Sequence, residues 1–202
     1  GYRRDPSQLL ELAFPKDAGA SASGCEFAAG QAIYAPTTTS LCMRYQARDS
    51  SEADCTGAKS DLSSEGPYVA PVTTGAGLLV EHYTLENGAL VCVAGKDAAT
   101  TVQVADGVSA VHFEFGVGNR GDTFAARRVR EFKPDIPVGT DTIRALRYAV
   151  LVTSTGKVTQ GMASTVCERW VAAGGDTGLC STDSNRLLQL ASGTLTLRNL
   201  MP

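Results

Sequence analysis

The sequence predicts an α+β protein that is rich in antiparallel β-structure and has only short helices. Apolar and polar residues alternate along several segments, which is the period of a half-buried strand. Aromatic residues make up only 6% of the chain while Gly is plentiful, a balance that favours strands and turns. The hydrophobic fraction of 43% suffices for a core of normal size. With 202 residues, we expect a single globular domain over residues 1–202.

The first element is a short helix expected at 5–14, because Asp5-Pro6 is a favoured helix start and Pro15 ends the helix. Strand-like segments then recur along the chain, at 31–35, 40–48, 108–118, 141–156 and 194–199. The segment 141–156 is expected to turn at its end, on Ser154-Thr155-Gly156. The polar segment 49–68 predicts a long loop.

The strongest hairpin signal lies at 77–95, where two apolar runs flank Asn87-Gly88, the favoured pair for a type I′ turn. A short helix is expected over 122–132, because apolar residues there follow the helical spacing i, i+4, i+7. The segment 161–180 predicts irregular structure bounded by two cysteines.

The chain contains six cysteines without any C-x-x-C pair, so zinc and thioredoxin-like sites are disfavoured. An even number at wide spacings indicates disulfides and an oxidising compartment. Six cysteines allow 15 pairings, and the spacings do not choose among them. The residues concerned are Cys25, Cys42, Cys55, Cys92, Cys167 and Cys180.

Residues 116–121 read Gly-Val-Gly-Asn-Arg-Gly, the G-x-G-x-x-G spelling of a dinucleotide-binding turn. That site requires a buried parallel strand within a βαβ unit. The strand before these glycines alternates, placing His112 and Glu114 on one face, and no βαβ alternation follows Pro134. We therefore expect no nucleotide and no other cofactor.

No catalytic constellation and no metal site are expected, and the chain is predicted not to be an enzyme. His82 and His112 both lie in predicted strands, away from any nucleophile motif. Loop carboxylates such as Asp176 and Asp183 could bind calcium, but they lack the spacing of an EF-hand. The formal charge of −3 gives no reason to expect a polyanionic partner. A basic run lies at 127–133, but no aromatic residues for base stacking accompany it, so we expect no nucleic-acid partner.

Two further interpretations concern residues that could bind a receptor or a carbohydrate. Arg120-Gly121-Asp122 spells an integrin-type tripeptide, although a glycine turn explains it without a receptor. Tyr45, Tyr83 and Trp170 could line a carbohydrate groove, although packing is the more common role for such residues.

Six segments, in order, resemble the PilW-type minor pilins of bacterial type IV pili. They are "GYRRDP" (1–6), "LCMRYQARDSSEADCTG" (41–57), "LENGALVCV" (85–93), "DGVSAVHFEFGVG" (106–118), "DTIRALRYAVLVTS" (141–154) and "TLTLRN" (194–199). The hydrophobic N-terminal helix and prepilin leader of that family are missing from this chain, so the family's filament-core contacts cannot be carried over.

The resemblance implies a pilin-like globular head with antiparallel sheets, long disulfide-stapled loops and a structural role in priming pilus assembly. The implied partners are other minor pilins (PilV-, PilX-, FimU- and PilE-like), the major pilin and a PilY-type tip adhesin. The implied location is the inner membrane with a periplasmic head before assembly, and the extracellular fibre tip afterwards. Membrane contact is expected only through the missing helix.

The family analogy pairs Cys55 with Cys92, while proximity in sequence suggests Cys167 with Cys180 and Cys25 with Cys42. Two other functions remain open. One is a J-type pseudopilin of type II secretion, which shares the fold and the helix-first layout. The other is a free secreted adhesin or binding module.

Overall fold

A computed structural model of the chain describes residues 23–28, 31–47, 49–61, 77–95, 99–136, 141–157, 165–180 and 186–197. The helix expected at 5–14 lies outside these residues. Two compact units divide the chain. The first unit contains the described residues up to Thr37 together with Leu41–Thr84 and Val91–Gln103, and the second contains Thr38–Ser40, Leu85–Leu90 and the described residues from Val104 onward. The single domain over 1–202 stays a prediction.

The first sheet contains five strands, each hydrogen-bonded to its neighbours in chain order. They are β1 (Ile33–Tyr34), β2 (Leu41–Gln46), β3 (Leu78–Glu86), β4 (Ala89–Ala94) and β5 (Thr100–Ala105). Strand β5 was not predicted, although Val102 and Val104 alternate with Thr101 and Gln103.

The antiparallel pairing of β2 with β3 fixes which side chains share a face of this sheet. Cys42 lies opposite His82, and Met43 lies opposite Glu81. Because successive side chains of a strand point to opposite faces, Glu81 and His82 lie on different faces of the sheet. Each of these faces carries one of the polar sites described below.

The hairpin predicted at 77–95 is confirmed as strands β3 and β4. Its turn residues Asn87 and Gly88 both have positive φ angles, 50° and 78°. A type I′ turn requires positive φ at both central residues, and Asn and Gly adopt it at the least cost. The local sequence alone therefore determines this turn.

The second sheet has four strands in the order β7–β6–β8–β9, and all its pairings are antiparallel. The strands, in chain order, are β6 (Val108–Asn119), β7 (Glu131–Lys133), β8 (Asp141–Lys157) and β9 (Arg186–Thr196). The turn expected at Ser154-Thr155-Gly156 is wrong, because β8 continues to Lys157. A shift in its register with β9 after Thr153 accommodates the extra residues.

A helix, α1 (Thr165–Ala172), lies in the segment that was expected to be irregular. Its Trp170 is 1% exposed and belongs to a buried cluster with Ala110, Ala149 and Leu151 of the second sheet. The indole Nε1 donates a hydrogen bond to the Asp176 carbonyl at 3.0 Å. Trp170 is therefore the buried side chain of a helix that is too short to show a long apolar period.

The helix expected over 122–132 is wrong: this segment contains only a 3₁₀ turn at Phe124–Ala126 before the edge strand β7. The Arg130 N–H donates to the Val117 carbonyl at 2.8 Å, and Phe132 lies opposite Gly116 in the sheet. Sheet pairing, which a helical period in the sequence does not show, supplies the backbone partners here.

The prediction of a β-rich chain with antiparallel sheets is confirmed by this architecture. Among the described residues, no helix combines the length and the apolar character needed to cross a bilayer.

Candidate functional site

Two disulfides tie loop segments to the first sheet. Cys25 is bonded to Cys42 of β2, and Cys55 is bonded to Cys92 of β4, with Cα–Cα distances of 5.9 and 6.4 Å. These are the two pairs named for those cysteines in the sequence analysis. The loops they close are long enough that each crosslink restricts the unfolded chain appreciably.

The remaining two cysteines lie in the second unit. Cys167, on α1, is disulfide-bonded. The side chain of Cys180 lies outside the described part of the chain, so its pairing with Cys167 stays a prediction. No described cysteine is a free thiol.

A buried carboxylate organises one face of the first sheet. Glu81 is 5% exposed, and its Oε1 accepts hydrogen bonds from Tyr45 Oη at 3.0 Å and from the Cys55 N–H at 2.8 Å. Its Oε2 accepts a hydrogen bond from Tyr83 Oη at 2.9 Å. This group of residues, the Glu81 cluster, joins strands β2 and β3 to the disulfide-bonded loop at Cys55.

The tyrosines of this cluster are held in their neutral form. Burial raises the pKa of Tyr45 and of Tyr83 well above its ordinary value, and the adjacent Glu81 charge and hydrogen bond raise it further. Both hydroxyls therefore remain donors to the carboxylate throughout the neutral pH range. The two tyrosines are fixed hydrogen-bond donors rather than groups that exchange protons near neutral pH.

The loop carrying Cys55 is ordered by a second carboxylate. Asp54 Oδ1 accepts hydrogen bonds from the Thr56 N–H at 2.8 Å, from Thr56 Oγ1 at 2.6 Å and from the Ala58 N–H at 3.1 Å. Such side-chain bonds to the following backbone are typical of Asp in tight turns. The loop is therefore shaped by hydrogen bonds among its own residues, and the disulfide fixes it to the sheet.

A buried arginine organises the opposite face of the first sheet. Arg44 is 2% exposed, and its Nε and Nη2 donate to the carbonyls of Gln31 and Ala28 at 2.6 and 2.9 Å. Its guanidinium carbon lies 4.6 Å from the centre of the Phe27 ring. Arg44 thereby holds the segment that follows Cys25 against strand β2.

Neither buried charge was found by sequence reasoning. In β2, Arg44 alternates with Met43 and Tyr45, so the pattern assigned it to a solvent-facing side of the strand. Loop segments cover both faces of the β2–β3 pair. The alternation of apolar and polar residues along a strand does not show such coverage. The available signals were that Arg44 lies on the same strand as Cys42, and that the strand of Glu81 lies between the two strands that carry Cys42 and Cys92.

The glycines at 116 and 118 are required by close packing within the second unit. A Cβ on Gly116 would lie 2.9 Å from the Ala145 Cβ, and one on Gly118 would lie 2.5 Å from the Arg128 carbonyl oxygen. Neither glycine is among those with positive φ. The Gly-Val-Gly motif therefore lets the segment around residue 128 and strand β8 approach the backbone of β6.

The Arg120-Gly121-Asp122 tripeptide does not present a free aspartate. Asp122 Oδ1 forms an ion pair with Arg130 Nη2 at 2.8 Å, and the Asp122 side chain is only 12% exposed. The Gly121 N–H donates to Asn119 Oδ1 at 2.8 Å, which closes the turn. An integrin-type receptor requires an accessible carboxylate, so this segment serves as a turn.

The two histidines lie in strands, as the sequence predicted, and in different units. His82 Nδ1 lies 3.0 Å from the Ser23 carbonyl, and the histidine belongs to a group with Cys25 and Cys42 whose ligand atoms lie within 4.8 Å of one another. His112 Nε2 lies against Gly174 after helix α1, where a Cβ would stand 2.6 Å away.

The other residues considered in the sequence analysis have structural surroundings. Trp170 is buried beneath α1 and offers no ring face to a carbohydrate. Asp176 Oδ1 accepts from the Gly178 N–H at 2.8 Å within its own turn. Asp183 lies outside the described residues.

Comparisons with protein-family models, with curated proteins and with solved structures find no match to this chain.

Proposed function

We propose that this chain is the globular head of a PilW-type minor pilin, a non-enzymatic subunit that helps to prime type IV pilus assembly in a complex at the fibre tip. The observation that carries the proposal is the coincidence of the resembling segments with the sheets. Described residues of the segments at 85–93, 106–118, 141–154 and 194–199 lie in β4, β6, β8 and β9, respectively, and those of the segment at 41–57 include β2 and Cys55. A resemblance spread over sheet strands supports a shared fold more strongly than one confined to loops.

The crosslinks of the first unit support the same role. Two disulfides and the buried Glu81 fix loop segments to both faces of the β2–β3 pair. An extracellular fibre is under tension, and crosslinks that shorten the extensible chain resist unfolding under load. A subunit at the tip of such a fibre benefits from this construction.

In this proposal the partners are the other minor pilins (PilV-, PilX-, FimU- and PilE-like), the major pilin and a PilY-type adhesin. The head lies in the periplasm while the full-length protein is held in the inner membrane, and at the extracellular tip after assembly. The ion pair of Asp122 with Arg130 argues against the free adhesin that would use the Arg-Gly-Asp turn.

The test is deletion of the gene in its own bacterium, followed by complementation with the full-length protein. We expect loss of surface pili and recovery on complementation, together with co-purification of the tagged protein with other minor pilins. Normal piliation with defective exoprotein secretion would instead identify a J-type pseudopilin. Normal piliation, normal secretion and no bound pilin would refute both assembly functions.

The complementation assay gains a structural arm from the second disulfide. A Cys55→Ser/Cys92→Ser double variant should assemble fewer pili than a variant altered at the exposed Glu86, because only the former releases the loop from β4. The coding sequence upstream of Gly1 gives an independent check. A hydrophobic segment of roughly 20 residues that continues into a helix supports a pilin, whereas an ordinary cleaved signal peptide supports the adhesin.

A further inference from the structure

The cysteines of the Cys25–Cys42 disulfide lie beside an imidazole whose second nitrogen has no hydrogen-bond partner among the described residues. Cys42 and His82 are directly opposed on strands β2 and β3, and Cys25 reaches Cys42 from the segment before β1. One potential ligand atom from each of the three residues lies within 4.8 Å of the other two. Sulfur and imidazole nitrogen are the donors that thiophilic ions such as Zn²⁺ prefer.

The tautomer of His82 is set by the segment that also carries Cys25. Its Nδ1 lies 3.0 Å from the Ser23 carbonyl, which can only accept a hydrogen bond, so Nδ1 carries the proton. The lone pair of the neutral ring then resides on Nε2. A histidine that ligates a metal usually has this arrangement, with its other nitrogen donating to a carbonyl or carboxylate.

The free nitrogen is shielded from solvent. His82 Nε2 is buried and has no hydrogen-bond partner among the described residues. A buried polar atom without a partner is uncommon and calls for a physical explanation. Around it, Cys42 is fully buried and packs in an apolar cluster with Phe27 and Val80.

We propose that these residues form a redox-controlled metal site: when the Cys25–Cys42 disulfide is reduced, Cys25, Cys42 and His82 bind one thiophilic ion of the Zn²⁺ class. In the disulfide the sulfurs are joined to each other and are not thiolates, so the oxidised protein does not bind the ion. The disulfide and the metal are therefore alternative ways to hold the Ser23–Phe27 segment on β2.

The geometry requires a small rearrangement. Ligand atoms around a tetrahedral zinc are separated by roughly 3.5–3.8 Å, given Zn–S and Zn–N distances of about 2.3 and 2.1 Å. One ring nitrogen of His82 and the two sulfurs already lie within 4.8 Å of one another. Reduction allows the sulfurs to move apart and to turn toward Nε2. A water molecule or a small ligand completes the fourth position.

Reduction and metal binding together convert the disulfide into two metal-bound thiolates. A phosphine reductant and one water convert the disulfide into two thiols and leave a phosphine oxide, a two-electron reduction of the sulfur pair. Binding of Zn²⁺ then converts both thiols into thiolates and releases about two protons at a pH below their ordinary pKa of about 8.5. In a cell, a dithiol of the thioredoxin class can supply the same two electrons.

The test uses the whole chain, reduced anaerobically with a water-soluble phosphine and titrated with Zn²⁺, and with Co²⁺ as a spectroscopic probe. The key variant is His82→Asn, because the amide nitrogen of Asn can replace Nδ1 in the bond to Ser23 while Nε2 is removed. His112→Asn is the matched control in the second unit. The other cysteines contribute a background, which the same reduced chain in urea measures.

We expect the reduced wild type to bind one metal ion above that background, with thiolate-to-cobalt charge-transfer absorption and the release of about two protons per zinc. His82→Asn should weaken this binding at least about tenfold, since even outer partners of metal ligands cause such losses. Cys25→Ser/Cys42→Ser should abolish it, whereas His112→Asn and Cys55→Ser/Cys92→Ser should retain it.

Two results would overturn the proposal. One is equal affinity and equal cobalt spectra for the reduced wild type and His82→Asn. The other is binding by the native reduced chain that does not exceed that of the urea-unfolded chain, because the site depends on the fold of the β2–β3 pair. Oxidised protein that binds zinc at the same level would also refute the redox control.

Discussion

Glu81→Ala should lower the free energy of unfolding by about 3–5 kcal/mol, because three donors lose their acceptor and each buried donor left unsatisfied costs about 1–3 kcal/mol. The carboxylate accepts hydrogen bonds from Tyr45, Tyr83 and the backbone of Cys55. Each bond to a charged acceptor is worth about 1.5–3 kcal/mol, so three make a larger gross sum. The desolvation of the buried carboxylate, which the variant no longer incurs, reduces the net loss.

Glu81→Gln separates the charge from the hydrogen bonds. The amide oxygen can still accept from Tyr45 and from the Cys55 N–H, and the Tyr83 hydroxyl can turn to accept from the new amide nitrogen. Only the strengthening due to the charge is then lost, so we expect a destabilisation of about 1–3 kcal/mol. Glu86→Ala, at the exposed end of the same strand, should change stability by less than about 0.5 kcal/mol.

The assay is scanning calorimetry of the disulfide-intact protein at neutral pH. For a chain of this size each kcal/mol shifts the midpoint by about 2–4 °C, so Glu81→Ala should melt about 6–20 °C below the wild type. Tyr83→Phe combined with Glu81→Gln should show coupling rather than additive losses, because the two groups share one bond. A Glu81→Ala midpoint within 2 °C of that of Glu86→Ala would refute the central role given to this carboxylate.

Three further outcomes are expected. Tyr45 and Tyr83 have raised folded-state pKa values, so the stability that they give the folded protein is complete below the unfolded pKa of about 10 and is lost as pH rises above it. In urea titrations, a Tyr45→Phe/Tyr83→Phe variant should therefore lose less stability at alkaline pH than the wild type does. Gly118→Ala should lower the free energy of unfolding by about 1–3 kcal/mol through overpacking. Gly121→Ala should lower it clearly less, because its Cβ would approach only a side-chain oxygen at 3.3 Å. Equal unfolding midpoints for the two variants would contradict the packing role of the Gly-Val-Gly motif. Trp170→Ala should cost about 3–5 kcal/mol and Trp170→Phe less. Calorimetric midpoints of the two variants check this order, and equal midpoints would contradict the packing role of the indole.

Local signals accounted for the features that depend on neighbouring residues. The Asn87-Gly88 turn needs two positive φ angles, and the two residues at its centre are the ones that adopt them at the least cost. The alternation in 108–118 likewise identified β6, because one face of that strand is buried along its length. These strands were predictable because their burial has a simple period.

Long-range packing decided the features that were missed. The apolar spacing at 122–132 fits a helix, but the backbone of Arg130 bonds to Val117 and the ring of Phe132 lies 3.7 Å beneath the guanidinium of Arg147. The short helix α1 is held by the buried Trp170 and carries the disulfide-bonded Cys167. Such contacts join residues far apart in the chain, and hydrophobic periodicity carries no information about them.

The two faces of the β2–β3 pair are stabilised by the same combination of groups. Each face has one buried ion, Glu81 or Arg44, bonded to neutral donors or carbonyls of a covering segment, and one disulfide that fixes that segment. Because a buried ion is costly to leave without its partners, each ion specifies which groups must meet. The disulfides add stability by restricting the unfolded chain. On the Arg44 face a metal held by His82 would perform that same task in the reduced protein, since it joins the same segment to the same strand.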